Sequence, residues 1–373
     1  MTYKNNSPKN KAALQRLPLM ILAFFALLSG LWAGLLRLGW ALPALSLRLP
    51  AQHGPLMVSG FLGTLITLER AVALNQTQNG RRLTYLAPLL SGLGAVLLFV
   101  SLPTAVPRTL ATLGAFGLVL IFIIIYRTHP TTDHAVMGIA ALLWLAGSTF
   151  WLAGWPIAKV VPWWVGFLVL TIAGERLELA RVLLLKKNAR RAFLAITGTF
   201  LAGLLLSLLY FDSGMRLAGL ALTALGLWLV RYDLARRTIH KTGLTRFMAA
   251  CLLPGHVWLS IGGLLWLVYG SGYGAGPVYD ALLHTIFLGF VFSMIFGHAP
   301  VIFPAVLGVQ VPYTPLYYGH LLLLHLSLVL RVAGDLLQWY GGRRWGGLLN
   351  EVAVVAFILV TAAATIYHRK DQG

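Results

Sequence analysis

The residues with the most chemical potential in this chain are histidines that fall in apolar surroundings: His53, His256, His284, His298, His320 and His325. An ionisable side chain inside an apolar segment is rare and marks function by default, and imidazole either relays protons or ligates metals. His129, His134, His240 and His368 sit in or beside polar stretches and are set aside as solvated. His53 stands just before Pro55 at the start of one apolar stretch, and His284 lies about two helical turns into another. Two neutral imidazoles at similar depth can hold a haem iron axially. Arg48 and Arg331, with Arg343 and Arg344, are placed to pair with haem propionates. His298, His320 and His325 are candidate ligands for a second metal, copper or iron. Packing of the same imidazoles against backbone carbonyls is the competing reading.

These histidines need helices in a membrane to position them. Of the 373 residues, 58% are hydrophobic and 10% charged, and the mean hydropathy is +0.80. A soluble domain carries about a quarter charged residues, so an ordinary globular enzyme and a disordered chain are both excluded. Segments of about 20 apolar residues recur at roughly 18–40, 51–74, 83–102, 106–126, 135–155, 160–183, 192–211, 214–234, 246–270, 278–299, 314–334 and 349–368. The predicted fold is therefore all-α and polytopic, with about twelve transmembrane helices (about 20 residues each). Its domains are a cytoplasmic N-terminal tail (1–17), a single transmembrane domain (18–368) and a short C-terminal tail (369–373). Most of the 29 Lys and Arg, including Lys186, Lys187, Arg190, Arg191, Arg236 and Arg237, fall on the side of the N-terminus. By the positive-inside rule both termini are cytoplasmic, in a cell (inner) membrane. The net charge of +19 then serves topology, and no basic domain or recognition helix points to nucleic acid. The single Cys251 excludes a disulfide framework and a thiolate cluster.

A repeat runs through the second, sixth and tenth segments. Gly60-Phe61 precedes Glu69, Gly166-Phe167 precedes Glu175, and Gly289-Phe290 precedes His298, always at the same interval. The pattern suggests three four-helix quartets. His53 and His284 do not occupy equivalent places in it, since they precede their glycines by different intervals.

The stretch from His53 through Met57 to Gly60-Phe61 resembles the second helix of the NnrS family of nitric-oxide-response membrane proteins. The stretch from His284 through Gly289-Phe290 and Met294 to Gly297-His298 is similar to a late helix of that family. More distantly, histidines on the second and tenth of twelve helices resemble subunit I of haem–copper oxidases. The resemblance implies haem b, with copper as a candidate second metal, and a role in nitric oxide response or in diatomic gas or electron-transfer chemistry. It implies an oxidoreductase as one enzymatic option, and a lipid bilayer with a small diatomic ligand or an electron donor as partners. The sixth and seventh segments hold no histidine, so the oxidase copper site and its oxygen reduction are not implied. The alternative expectation is a proton-coupled secondary transporter with a histidine relay.

Overall fold

The computed structural model describes residues 8–43, 46, 48–77, 82–100, 102–272 and 274–371. Parts of both expected tails, residues 1–7 and 372–373, lie outside the described residues. Among those described there is helix and no strand. Among the described residues eleven helices are long and apolar enough to cross a membrane. They are α1 (Gln15–Arg37), α2 (Leu49–Gln76), α4 (Ala105–Thr128), α5 (Thr132–Leu152), α6 (Ile157–Leu183), α7 (Lys187–Leu206), α8 (Phe211–Tyr232), α9 (Gly243–Tyr269), α10 (Gly276–Leu307), α11 (Tyr317–Leu336) and α12 (Tyr340–Tyr367), with the shorter apolar α3 (Arg82–Leu97) between α2 and α4. The third expected span reached residue 102; its helix stops at Leu97, and irregular backbone follows. Leu322, Leu326 and Leu359 are each 60% or more exposed, as lipid-facing side chains must be. The chain is a polytopic, all-helical membrane protein.

It divides into two compact units, Met1–Phe167 with Pro300–Val311, and Leu168–Ala299 with Pro312–Gly373. In the first unit α2 is the buried centre. Its stretch Leu56–Gly63 is π-helical, and all of it except Met57 is buried. Gly60 is required here by close approach: a Cβ would meet those of Ala26 on α1 and Ala95 on α3 at 2.9 and 2.8 Å. Ser91 donates to the Ser59 carbonyl at 2.5 Å, and Trp144 Nε1 donates to the Ser59 hydroxyl at 3.3 Å. Trp144 in turn stacks on Phe167. The segment Pro300–Val311 belongs to this unit because Arg16 donates to the Val306 carbonyl at 3.1 Å while Leu19, Met20, Leu68 and Val72 enclose Val306.

In the second unit α10 holds the corresponding place. Thr285–Phe292 is its π-helical stretch, and Gly289 lies against Trp258 of α9, whose Cβ and Cγ would stand 2.5 Å from an added Cβ. Small residues let the other helices touch backbone to backbone: Gly203 with Gly214 for α7 and α8, Gly219 with Gly263 for α8 and α9, and Gly346 against the Arg331 backbone for α12 and α11. With lipid outside, such contacts rather than a hydrophobic driving force hold helices together. Asn350 Nδ2 donates to Ser327 at 2.7 Å and strengthens the α11–α12 pair. The third copy of the Gly-Phe repeat, at Gly166-Phe167, lies in regular α-helix; only α2 and α10 carry π turns among the described residues.

Candidate functional sites around the histidines

Each histidine is best read from what its ring nitrogens face, because that decides which nitrogen holds the proton. His53, half-buried in the first unit, has Nδ1 2.7 Å from the Gly30 carbonyl oxygen. A carbonyl only accepts, so Nδ1 carries the hydrogen and the lone pair sits on Nε2. His284, in the second unit, has Nδ1 2.8 Å from the Asp280 carbonyl oxygen, and His298 has Nδ1 2.7 Å from that of Met294. All three therefore hold the tautomer of a metal-ligating histidine, with Nδ1–H donated to protein and Nε2 basic.

His325 is the opposite case. Trp258 Nε1 donates to its Nδ1 at 3.1 Å, which places the hydrogen on Nε2. In that state neither ring nitrogen offers a lone pair to a metal, which argues against His325 as one of the second-metal ligands expected from sequence. His320 is 3% exposed and neither ring nitrogen has a hydrogen-bond partner. It is enclosed by Phe296, Phe357, Tyr317 and Phe247, with ring centroids 4.9, 5.5, 5.7 and 6.2 Å away.

Arg331 has a partner that the sequence hides. Its Nε and Nη2 donate to the two carboxylate oxygens of Asp280 at 2.7 and 2.9 Å, the bidentate fork that suits arginine to carboxylates. The guanidinium expected to meet a propionate is thus already matched by an acid from α10, one turn before His284. Arg343 adds Nη2 at 3.9 Å from Asp280, and its Nε lies 3.1 Å from Asp335, near enough for ion pairing but not aligned as a hydrogen bond. Asp335 is fully buried. Arg48, another of the expected propionate partners, is an exposed residue at the start of the 3₁₀ turn before His53.

A second charged centre ties α6, α8 and α9 together. Arg176 donates through Nε and Nη2 to the two oxygens of Asp233, both at 2.6 Å, and the Ala235 N–H donates to Asp233 at 2.7 Å. His256, fully buried, has Nε2 3.6 Å from the same carboxylate. Burial opposes charge on Asp233, yet the Arg176 fork and the Ala235 N–H outweigh it and hold the carboxyl below the usual carboxylate range.

Sequence reasoning missed Asp280, Asp233 and Trp258. For Asp280 the signal was available: it precedes His284 by four residues, so the two share a helix face, and acids number only ten in the whole chain. Asp233 reads as an ordinary loop acid beside Arg231, and Trp258 as an ordinary core residue.

A family model described as Domain of unknown function (DUF8744) matches residues 16–366. The chain belongs to that family. No curated protein and no solved structure matches it. The DUF8744 match takes in both charged centres and His53, His256, His284, His298, His320 and His325.

Proposed function

We propose that this chain is a haem-binding protein of the cell membrane, with both termini cytoplasmic and with His53 in the first unit and His284 in the second as candidate imidazole ligands of b-type haem. The supporting observation is a shared local design: each stands at the head of a π-helical turn carrying Gly-Phe, with Nδ1–H fixed on a backbone carbonyl. π turns concentrate at functional sites, and the donor chemistry fits, because the lone pair is on Nε2 in both. A bound haem would supply an iron that takes a diatomic gas such as nitric oxide or passes single electrons. The chain's own part is to orient each imidazole through its Nδ1 hydrogen. Of the expected propionate partners, Arg331 and Arg343 are matched to Asp280 and Asp335, while Arg48 and Arg344 stay as candidates. A copper site would draw on His298 and His320 and leave out His325.

Protein purified in detergent from haem-replete cells should give a pyridine haemochrome of haem b, and His53→Ala and His284→Ala should each lose most of it. Haem retention in both variants would dismiss the assignment of ligands.

A second reading, proton-coupled transport, is favoured by the Arg176–Asp233–His256 centre, since buried ionisable groups line proton paths in transporters. Proton-driven or counterflow uptake in proteoliposomes, abolished by His256→Phe, would favour it over the haem reading.

A further inference from the structure

His284 differs from an imidazole held by a carbonyl alone. Its Nδ1 is 2.8 Å from the Asp280 main-chain oxygen and also 3.3 Å from the Asp280 carboxylate oxygen Oδ1. The carbonyl already satisfies the Nδ1 hydrogen, so the carboxylate is not needed for hydrogen bonding. What it adds is charge. The Arg331 fork at 2.7 and 2.9 Å fixes the carboxylate, and Arg331 and Asp280 are both largely shielded, their side chains 7% and 13% exposed. The ion pair is therefore a rigid dipole whose negative end faces the imidazole. A negative end at Nδ1–H draws the proton outward and raises electron density on Nε2, as outer carboxylates do for metal-bound histidines.

We propose that Asp280, clamped by Arg331, is a positioning residue that makes His284 a strong, imidazolate-like donor to the iron. This rests on the haem reading above. The groups that hold the arrangement come from three helices: Asp280 on α10, Arg331 and Asp335 on α11, and Arg343 on α12. His53 meets the Gly30 carbonyl in the same role.

The test removes the dipole while keeping the shape. In the double variant D280N/R331M both charges go, the main-chain carbonyl at position 280 still accepts from His284, and Asp335 keeps Arg343 as its partner. Haem affinity should fall about 10- to 100-fold, the usual penalty for losing an outer partner of a metal-bound histidine. The midpoint potential of the haem should rise, because ferric iron loses the electron-rich ligand. The control variant D212N/R216M removes a partly exposed ion pair of α8 and should change neither quantity. Arg331→Lys, which keeps both charges but not the fork, should raise the potential by less; it gives the answer if the double variant does not accumulate. Unchanged affinity and potential in D280N/R331M, or in Arg331→Lys in its place, would overturn the role of Asp280 and leave the haem reading standing. A wild-type protein without haem would instead overturn both.

Discussion

The π-helical stretches of α2 and α10 make an instructive pair. Both are buried, both place a Gly-Phe at the same register, and both press their glycine against a neighbouring helix. Their polar surroundings differ. Around Leu56–Gly63 the structure sets hydroxyl and indole groups, with Ser91 on the Ser59 carbonyl and Trp144 on the Ser59 hydroxyl. Just ahead of Thr285–Phe292 it sets full charges, Asp280 with Arg331 and Arg343. One backbone device thus stands beside hydroxyl and indole groups in one unit and just after an ion pair in the other, and the ion pair carries the larger energetic stake. Losing one neutral hydrogen bond costs little, whereas losing one partner of a buried ion pair strands the other charge.

The largest expected effect follows from that contrast. Arg331→Ala strips the fork from Asp280 and should lower stability by about 3–5 kcal/mol. Ser91→Ala removes a neutral hydrogen bond and should cost only about 1 kcal/mol. Thermal unfolding in detergent checks both, and equal losses would break the comparison. Next come the glycines. Gly289→Ala drives a methyl against the Trp258 stem, while Gly60→Ala meets the methyl groups of two alanines; each is overpacking worth about 1–3 kcal/mol. The indole stem yields less than a helix shift between alanines, so Gly289→Ala should show the greater loss of melting temperature.

The smallest effect concerns acid. Asp233 has a depressed folded-state carboxyl, so its contribution is present above the unfolded value of about 3.9 and disappears as pH drops through the lower folded value. Wild-type stability should therefore fall on acidification below about pH 4, and Asp233→Asn should flatten that limb while lowering stability at neutral pH. Denaturation curves at a series of pH values read this directly, and an identical acid limb in the variant would contradict it.

The sequence carries the membrane class clearly, because an apolar run of sufficient length has few other folded outcomes. Helix ends were less legible: α3 closes at Leu97, ahead of the expected 102. The π turns were hidden for a physical reason. Apart from Ser59 and Thr285, Leu56–Gly63 and Thr285–Phe292 are apolar, so no polar face betrays a departure from the 3.6-residue repeat. Tautomers were hidden too. The lone pair of His53 depends on the Gly30 carbonyl and that of His325 on Trp258, partners far away in sequence. The Asp280–His284 spacing was readable on one helix, but the Arg331 fork spans two.

The most direct test of the account is the absorption spectrum of the detergent-purified protein beside that of His284→Ala. The account predicts an intense Soret band in the wild type and its loss or marked weakening when that imidazole is removed. A wild-type preparation from haem-replete cells that is transparent in the Soret region would contradict it.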